Sequence, residues 1–147
     1  MVASRLICRG IVNGERVTET FAPVAESVPR ARTAATAVCG RWEIPPDVTQ
    51  RVQVIVTELA GNAVRHARTP YELVLRRSGA TLYLAVRDGD DRPARLLGPL
   101  TPTSAGGRGL ILVDAYASAW GCFPTIDGKT TWALLRQPAE PPVSPAP

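Results

Sequence analysis

Three polar residues, Glu58, Asn62 and His66, recur at intervals of four in a segment rich in apolar side chains. Residues four apart lie on one face of a helix, so the spacing predicts a polar stripe. The amide oxygen of Asn62 can bind a hard cation such as Mg²⁺, and the carboxylate of Glu58, one turn away, can accept a proton. By itself such a stripe is more typical of a solvated helix face, so the motifs elsewhere in the chain must decide.

The stripe lies on a helix predicted from about Asp47 to Ala67, with Asp47 as the N-cap. The apolar residues of this helix recur at helical spacing; they are Val52, Ile55, Val56, Leu59 and Ala63. Three further motifs follow along the chain: Asp88-Gly89 after a predicted strand, the glycine-rich run Gly106 to Leu110 at a predicted helix, and Thr130-Thr131 in the last predicted strand.

Four sequence blocks carry a resemblance to a known family. They are VTELAGNAVRHA (56–67), LAVRD (84–88), GRGLILVD (107–114) and a last block made of Trp120-Gly121 and GKTTWA (128–133). In the order and spacing of these blocks the chain resembles the histidine-kinase-like ATPase superfamily, also called the GHKL or Bergerat fold. Within it, the chain is most similar to the small anti-sigma-factor serine kinases and their actinobacterial single-domain relatives. The resemblance covers roughly Thr18 to Arg136.

The resemblance implies a role for each polar motif. Asn62 would bind the Mg²⁺ that bridges the phosphates of ATP, and Glu58 would be the general base toward an incoming hydroxyl or water. Asp88 would accept a hydrogen bond from the exocyclic amine of adenine, which favours adenine because guanine presents a carbonyl at that position. Thr130 would contact adenine. His66, the third member of the stripe, would pack and hydrogen-bond near the helix end.

The resemblance also implies a phosphate site at Gly107, Arg108, Gly109 and Leu110. Backbone amides of a glycine-rich run at the start of a helix can approach phosphate closely, and the helix start adds unpaired N–H groups. Before it, Asp90 to Gly106 contains several prolines and no clear period, and we predict that it is a mobile lid over the nucleotide. The chain departs from the superfamily in one segment: in place of Asp-x-Gly-x-Gly it has DGDDRP from Asp88 onward.

The order of predicted elements indicates an α+β domain. Strands are predicted at Leu6–Val12, Arg16–Phe21, Tyr71–Arg76, Thr81–Arg87, Trp120–Ile126 and Thr130–Arg136, and helices at Glu26–Arg41, Asp47–Ala67 and Gly109–Ser118. Ser27 is predicted to cap the first helix. We expect a two-layer sandwich, with a mostly antiparallel or mixed sheet and three helices on one face. Residues 1–136 would form this domain, and the Pro-rich residues 137–147 a disordered tail.

Composition and charge argue against nucleic acid and a membrane as partners of this chain. The chain has 147 residues and a formal net charge of +4, but its arginines are scattered and lack the interleaved aromatic residues that stack on bases. We therefore expect no direct binding to nucleic acid. No apolar run is long enough to cross a bilayer, and three cysteines without paired metal spacing are typical of reduced thiols in a cytoplasmic protein. A homodimer is compatible with the sequence.

Two functions from different classes fit these motifs. The first is an anti-sigma-factor-type serine/threonine kinase, which would use ATP and Mg²⁺ to phosphorylate a small antagonist protein, would also bind a sigma factor, and would control transcription by partner switching. The alternative is a non-catalytic nucleotide-binding switch, which the missing glycines after Asp88 favour. A basic interaction domain without nucleotide is a third interpretation, against which the site pattern argues.

Overall fold

The computed structural model describes residues 15–90 and 107–137, with the backbone alone at residues 107–109. These residues form five strands and three helices: β1 (Glu15–Phe21), α1 (Ser27–Arg41), α2 (Pro46–Asn62), β2 (Tyr71–Ser78), β3 (Thr81–Asp88), α3 (Gly107–Tyr116), β4 (Ala119–Thr125) and β5 (Gly128–Arg136). The predicted strand Leu6–Val12, residues 91–106 of the predicted lid and the tail beyond residue 137 lie outside the described residues. The predicted boundary between domain and tail stays a prediction.

The five strands form one sheet in the order β1-β2-β3-β5-β4, and every neighbouring pair is antiparallel. Alternate residues of the central strands point to opposite faces, as the strand period requires. One face belongs to the main core with the helices and includes Leu73, Leu84, Val86 and Ala133. The predicted α+β two-layer architecture, with three helices, is confirmed.

The amphipathic helix α2 lies at the centre of the helical layer. It packs against α1, α3 and the central strands β3 and β5. The residues that it buries include Val52, Ile55, Val56 and Leu59, which are those whose helical spacing predicted it. Burial of such apolar side chains contributes about 1.5–3 kcal/mol each before the cost of ordering the chain. No helix in the part of the chain that the structure describes is long and apolar enough to span a membrane.

The predicted caps of two helices are wrong. Helix α1 begins at Ser27, whose side chain does not cap it; the Ser27 hydroxyl is instead buried and forms a 2.7 Å hydrogen bond with the Tyr71 hydroxyl on β2. Burial raises the pKa of Tyr71, while this hydrogen bond and the charge of Arg30 act in the opposite direction. Helix α2 begins at Pro46 because proline suits the first helical position, which places Asp47 inside the first turn rather than at the cap.

The predicted helix Asp47–Ala67 does not keep one geometry to its end. After Asn62 the chain continues as a π-helical turn from Ala63 to Ala67. The N–H of Arg68, whose left-handed φ of 55° ends the turn, donates to the carbonyl of Ala63 at 3.1 Å. A π turn changes the number of residues per turn, so the helical spacing that predicts the polar stripe holds from Glu58 to Asn62 but not from Asn62 to His66, which is exposed.

Candidate functional site

The carboxylate of Asp88 lies at the end of β3, on the face of the sheet that the helices cover. Asp88 is opposite Tyr71 on β2 and opposite Lys129 on β5. Its side chain is 5% exposed. A carboxylate so far from water requires partners, and the surrounding loop supplies them.

Two donors reach the same oxygen of Asp88. The backbone N–H of Asp90 donates to Oδ1 at 2.9 Å, and the ammonium group of Lys129 donates to Oδ1 at 3.1 Å. Lys129 Nζ also lies 3.7 Å from Oδ2 of Asp90. The side chains of Lys129 and Asp90 are 12% and 9% exposed, so the three charged groups form a compact cluster, largely shielded from solvent.

Gly128 allows β5 to approach this cluster closely. A Cβ atom at Gly128 would lie 1.8 Å from the carbonyl oxygen of Asp88 and 2.8 Å from the Cα of Gly89. Both contacts are with backbone, which cannot move aside as a side chain can. Only glycine therefore fits between β5 and the end of β3, next to Lys129 in the chain.

The register of β5 separates the two adjacent threonines. Thr131 is opposite Val86, so it shares the helix-covered face with Asp88 and Lys129. Thr130 is opposite Arg87 and points to the other face of the sheet, although it is also buried. The structure therefore does not bring Thr130, the predicted adenine contact, to the face of Asp88. Thr131 occupies the position on that face.

Asn62 lies at the end of α2, half-buried, just before the π turn. Its side-chain oxygen, the predicted Mg²⁺ ligand, accepts a hydrogen bond from Nη2 of Arg65 at 3.0 Å. The Arg65 guanidinium reaches it across Gly61, where an added Cβ would lie 3.3 Å from Nη1 of Arg65. Arg65 itself is exposed. The acceptor oxygen of Asn62 is thus engaged by a cation of the chain itself.

Glu58 is half-buried one turn before Asn62, and both residues share one side of α2 with Arg51. Arg51 is seven residues before Glu58 and eleven before Asn62, so all three lie within about 20° of one line along the helix. Nε of Arg51 donates to the carbonyl of Tyr116, the last residue of α3, at 2.9 Å. Glu58 and Asn62 therefore lie on the side of α2 from which Arg51 reaches the last residue of α3.

The side chain of Thr69 links the chain that follows the Asn62 helix to the loop that follows the Asp88 strand. Thr69, just after the π turn, accepts a hydrogen bond from the N–H of Gly89 at 2.8 Å. A Cβ at Gly89 would lie 3.1 Å from the same hydroxyl oxygen. Gly89 thus lets the loop after β3 lie against the chain that follows the helix, which holds the two ends of the candidate site together.

The glycine-rich motif occupies the first turn of α3. The helix begins at Gly107, two residues earlier than predicted, so Gly107 and Arg108 lie inside it rather than before it. The first N–H groups of a helix have no partner within it and can bind an anion. Leu110 is half-buried, and α3 packs against α2. The helix start thus offers unpaired N–H groups of the kind that bind phosphate, and the phosphate site at Gly107 to Leu110 stays a prediction.

The residues present fit a magnesium ion only together with a ligand that brings oxygen atoms. Among residues 15–90 and 107–137, no three His, Cys, Asp or Glu side chains are close enough to form a metal cage. One amide oxygen, from Asn62, is available if Arg65 moves away. Mg²⁺ usually keeps several waters and binds phosphate oxygens in addition to one or two protein ligands, so a single amide oxygen is adequate for an ion carried by a nucleotide.

Three residues of the site escape prediction from the sequence: Lys129, Thr69 and Arg65 as a partner of Asn62. Lys129 is the only lysine of an arginine-rich chain, which is a signal, but its position against Asp88 depends on the pairing of β3 with β5. Thr69 and Arg65 depend on the π turn. No local pattern of residues shows either the strand register or the π turn.

Comparison with known proteins finds a matching family and a similar fold. The sequence matches the family described as histidine kinase-like ATPase domain over residues 21–129. The fold is similar to a crystal structure of the RsbU and RsbW domains of Rv1364c from Mycobacterium tuberculosis, with a TM-score of 0.65 and 13% sequence identity. The match covers 83% of this chain and 32% of that one, so the chain spans about a third of that protein. No curated protein sequence matches significantly.

Proposed function

Because this chain belongs to the histidine kinase-like ATPase family, we propose that it binds ATP with Mg²⁺ and transfers the terminal phosphoryl group to a serine of a small partner protein. The observation that carries the proposal is the pairing of Glu58 and Asn62, one turn apart on the side of α2 from which Arg51 reaches α3. This pairing puts a proton acceptor beside a metal-binding oxygen. The family match supports ATP as the nucleotide.

The length of α3 supports a phosphate site near Asn62. Its ten residues span about 15 Å, and the twelve residues from Arg51 to Asn62 span about 18 Å along α2. The C-terminal carbonyl of Tyr116 is held by Arg51. If α3 runs antiparallel along α2, its first turn from Gly107 to Gly109 comes to lie beside Asn62, where helix amides and a bound cation would face the same phosphates.

Each residue then has one task. The cluster around Asp88 would receive the adenine amine, and Asn62 would provide an oxygen to Mg²⁺, which supplies positive charge to the phosphates when bound. In the transfer step, the carboxylate of Glu58 takes the proton of the partner's serine hydroxyl. The serine oxygen forms a bond to the γ-phosphorus, the bond from that phosphorus to the bridging oxygen breaks, and ADP leaves. Most of the rate would come from positioning and charge neutralisation.

The partner that we propose is an anti-sigma-factor antagonist, with a sigma factor as the second partner and the cytoplasm as the compartment. The support is the sequence resemblance to anti-sigma-factor serine kinases in the block that carries Glu58 and Asn62. The structural similarity, at 13% identity, supports the fold only. A homodimer remains part of this proposal.

A phosphotransfer assay tests the proposal. The protein is incubated with γ-labelled ATP, Mg²⁺ and candidate antagonist domains from the same genome. Wild type should label one of them on serine, and Glu58→Gln should keep ATP affinity but lose transfer by about 10²- to 10⁴-fold, the usual contribution of a positioned base. Equal transfer rates for the two proteins would remove Glu58 from catalysis.

The second candidate function is a nucleotide-dependent switch without transfer. It is favoured by the loop after Asp88, where Asp90 replaces a glycine of the superfamily pattern, and by the occupation of the Asn62 oxygen by Arg65. If wild type binds Mg-ATP and labels no partner, this function replaces the kinase.

A further inference from the structure

The two hydrogen bonds that Asp88 accepts are unevenly distributed over its carboxylate. Both described donors, the N–H of Asp90 and the ammonium group of Lys129, bind Oδ1. A carboxylate oxygen has two lone pairs in its plane, so these donors use the capacity of Oδ1. Within residues 15–90 and 107–137, neither donor engages Oδ2, which is left as the oxygen able to accept from a ligand.

We infer that Lys129 is a positioning residue that sets base selectivity: it holds Asp88 by Oδ1 so that Oδ2 is presented to the exocyclic amine of adenine. The inference rests on the proposed nucleotide-binding function and assigns to it Lys129, a residue to which the family resemblance gives no role. Lys129 need not touch the nucleotide, because it acts through the orientation and charge of Asp88.

The surroundings of Lys129 suit this task. It is the cross-strand partner of Asp88 in the β3–β5 register, so its backbone position relative to the carboxylate is fixed by the sheet. Its ammonium group also lies 3.7 Å from Oδ2 of Asp90. A lysine that is only 12% exposed and has two anionic neighbours cannot leave without uncovering a shielded charge. Lys129 is therefore held in place more firmly than a surface lysine.

The same geometry gives the selectivity. Lys129 and the N–H of Asp90 both bind Oδ1, so the second oxygen of Asp88 is the one presented as an acceptor. An acceptor at this position distinguishes the amine of adenine from the carbonyl of guanine.

The test measures the affinities of ATP and GTP for wild type, Lys129→Met, Asp88→Asn and the double variant, by calorimetry with Mg²⁺ present. Wild type should prefer ATP, and Lys129→Met should reduce the ratio of ATP affinity to GTP affinity about tenfold, the size expected for a charge-assisted hydrogen bond. Asp88→Asn should lose the preference as well. The double variant should lose no more than Asp88→Asn alone, because Lys129 acts only through Asp88.

Two further variants separate positioning from simple stability. Arg87→Met removes an ion pair with Asp127 on the opposite face, one residue from Asp88, and should leave the ratio unchanged. Lys129→Gln keeps a neutral donor and should give an intermediate ratio of ATP affinity to GTP affinity. It provides the test if Lys129→Met fails to fold.

If Lys129→Met and Lys129→Gln fold, bind ATP and keep the wild-type ratio of ATP affinity to GTP affinity, the inference is overturned and the proposed function is not. The inference would also be overturned if the double variant lost more selectivity than Asp88→Asn alone. Absence of ATP binding to wild type would instead overturn the proposed function on which the inference rests.

Discussion

The two ends of the candidate site present the same chemistry in opposite environments. At the end proposed for the nucleotide base (the base end), an oxygen of Asp88 is bound by Lys129 in a cluster whose side chains are 5–12% exposed. At the end proposed for Mg²⁺ (the metal end), the oxygen of Asn62 is bound by Arg65, which is exposed. In both places a predicted ligand-binding oxygen accepts a hydrogen bond from a basic side chain of the chain itself.

The difference in burial predicts that Lys129 stays bound to Asp88 when a ligand binds, whereas Arg65 can be displaced from Asn62. A shielded ion pair is costly to break because it leaves a charge without water or partner, so Lys129 should stay while a ligand binds. A surface contact of a long side chain contributes little, about 0–1 kcal/mol, so Arg65 can give way to a metal ion. Under the proposed function, the base end is arranged before the ligand binds, and Arg65 at the metal end would give way to the metal ion.

Gly128→Ala should break the base end and have the largest effect. The new Cβ would lie 1.8 Å from the Asp88 carbonyl oxygen, so β3 and β5 must part. We expect a loss of about 3 kcal/mol or more in the free energy of unfolding, measured by urea denaturation. Gly40→Ala is the matched control, since nothing lies within 4 Å of its Cβ and alanine favours a helix by up to about 1 kcal/mol. Equal stabilities for the two variants would disprove the close approach.

A pair of threonine variants should sharpen the map of the base end. Thr131→Val should weaken ATP binding about fivefold, as expected for one lost hydrogen bond, because Thr131 shares the face of Asp88. Thr130→Val should leave affinity unchanged, because Thr130 points to the other face. Calorimetry on both variants checks this. The opposite order of effects would restore Thr130 as the adenine contact and contradict the register of β5.

Arg65→Ala should have the smallest effect, and it concerns the metal end. Removal of Arg65 frees the Asn62 oxygen for Mg²⁺ and removes a cation that substitutes for it, so both effects act in one direction. We expect the ratio of ATP affinity with Mg²⁺ to ATP affinity with EDTA to rise about threefold. In an Asn62→Ala background the same substitution should produce no rise. A ratio that falls or stays constant would show that Arg65 does not compete with the ion.

Most of the fold follows from patterns that are local in the sequence. The apolar spacing of Val52, Ile55 and Leu59 predicts α2, and alternation in LYLAV (82–86) predicts β3. The helix starts at Ser27 and Pro46 are less predictable because propensity at a cap competes with tertiary contacts. The hydroxyl of Ser27 has a buried partner in Tyr71, and that contact is invisible to a cap rule.

The candidate site likewise contains residues that the local sequence predicts and residues that it does not predict. Asn62, Glu58 and Asp88 are predictable because their motifs are continuous in the sequence, although their roles stay predictions. Lys129, Arg65 and the choice between the adjacent threonines depend on strand register and on a π turn, which are properties of packing. A one-residue shift of register would exchange the faces of every residue in β5, so pattern alone cannot decide which threonine faces the site.

The most direct test of the account is calorimetric titration of wild type and Asn62→Ala with ATP in the presence of Mg²⁺. We predict binding to wild type at or below millimolar ATP, and a sharp loss of the Mg²⁺-dependent part of the affinity in Asn62→Ala, with no change in the urea midpoint because Asn62 is half-buried and its substitution leaves the core intact. Absence of binding to wild type at millimolar ATP, or an Asn62→Ala variant that binds Mg-ATP as wild type does, would contradict the account.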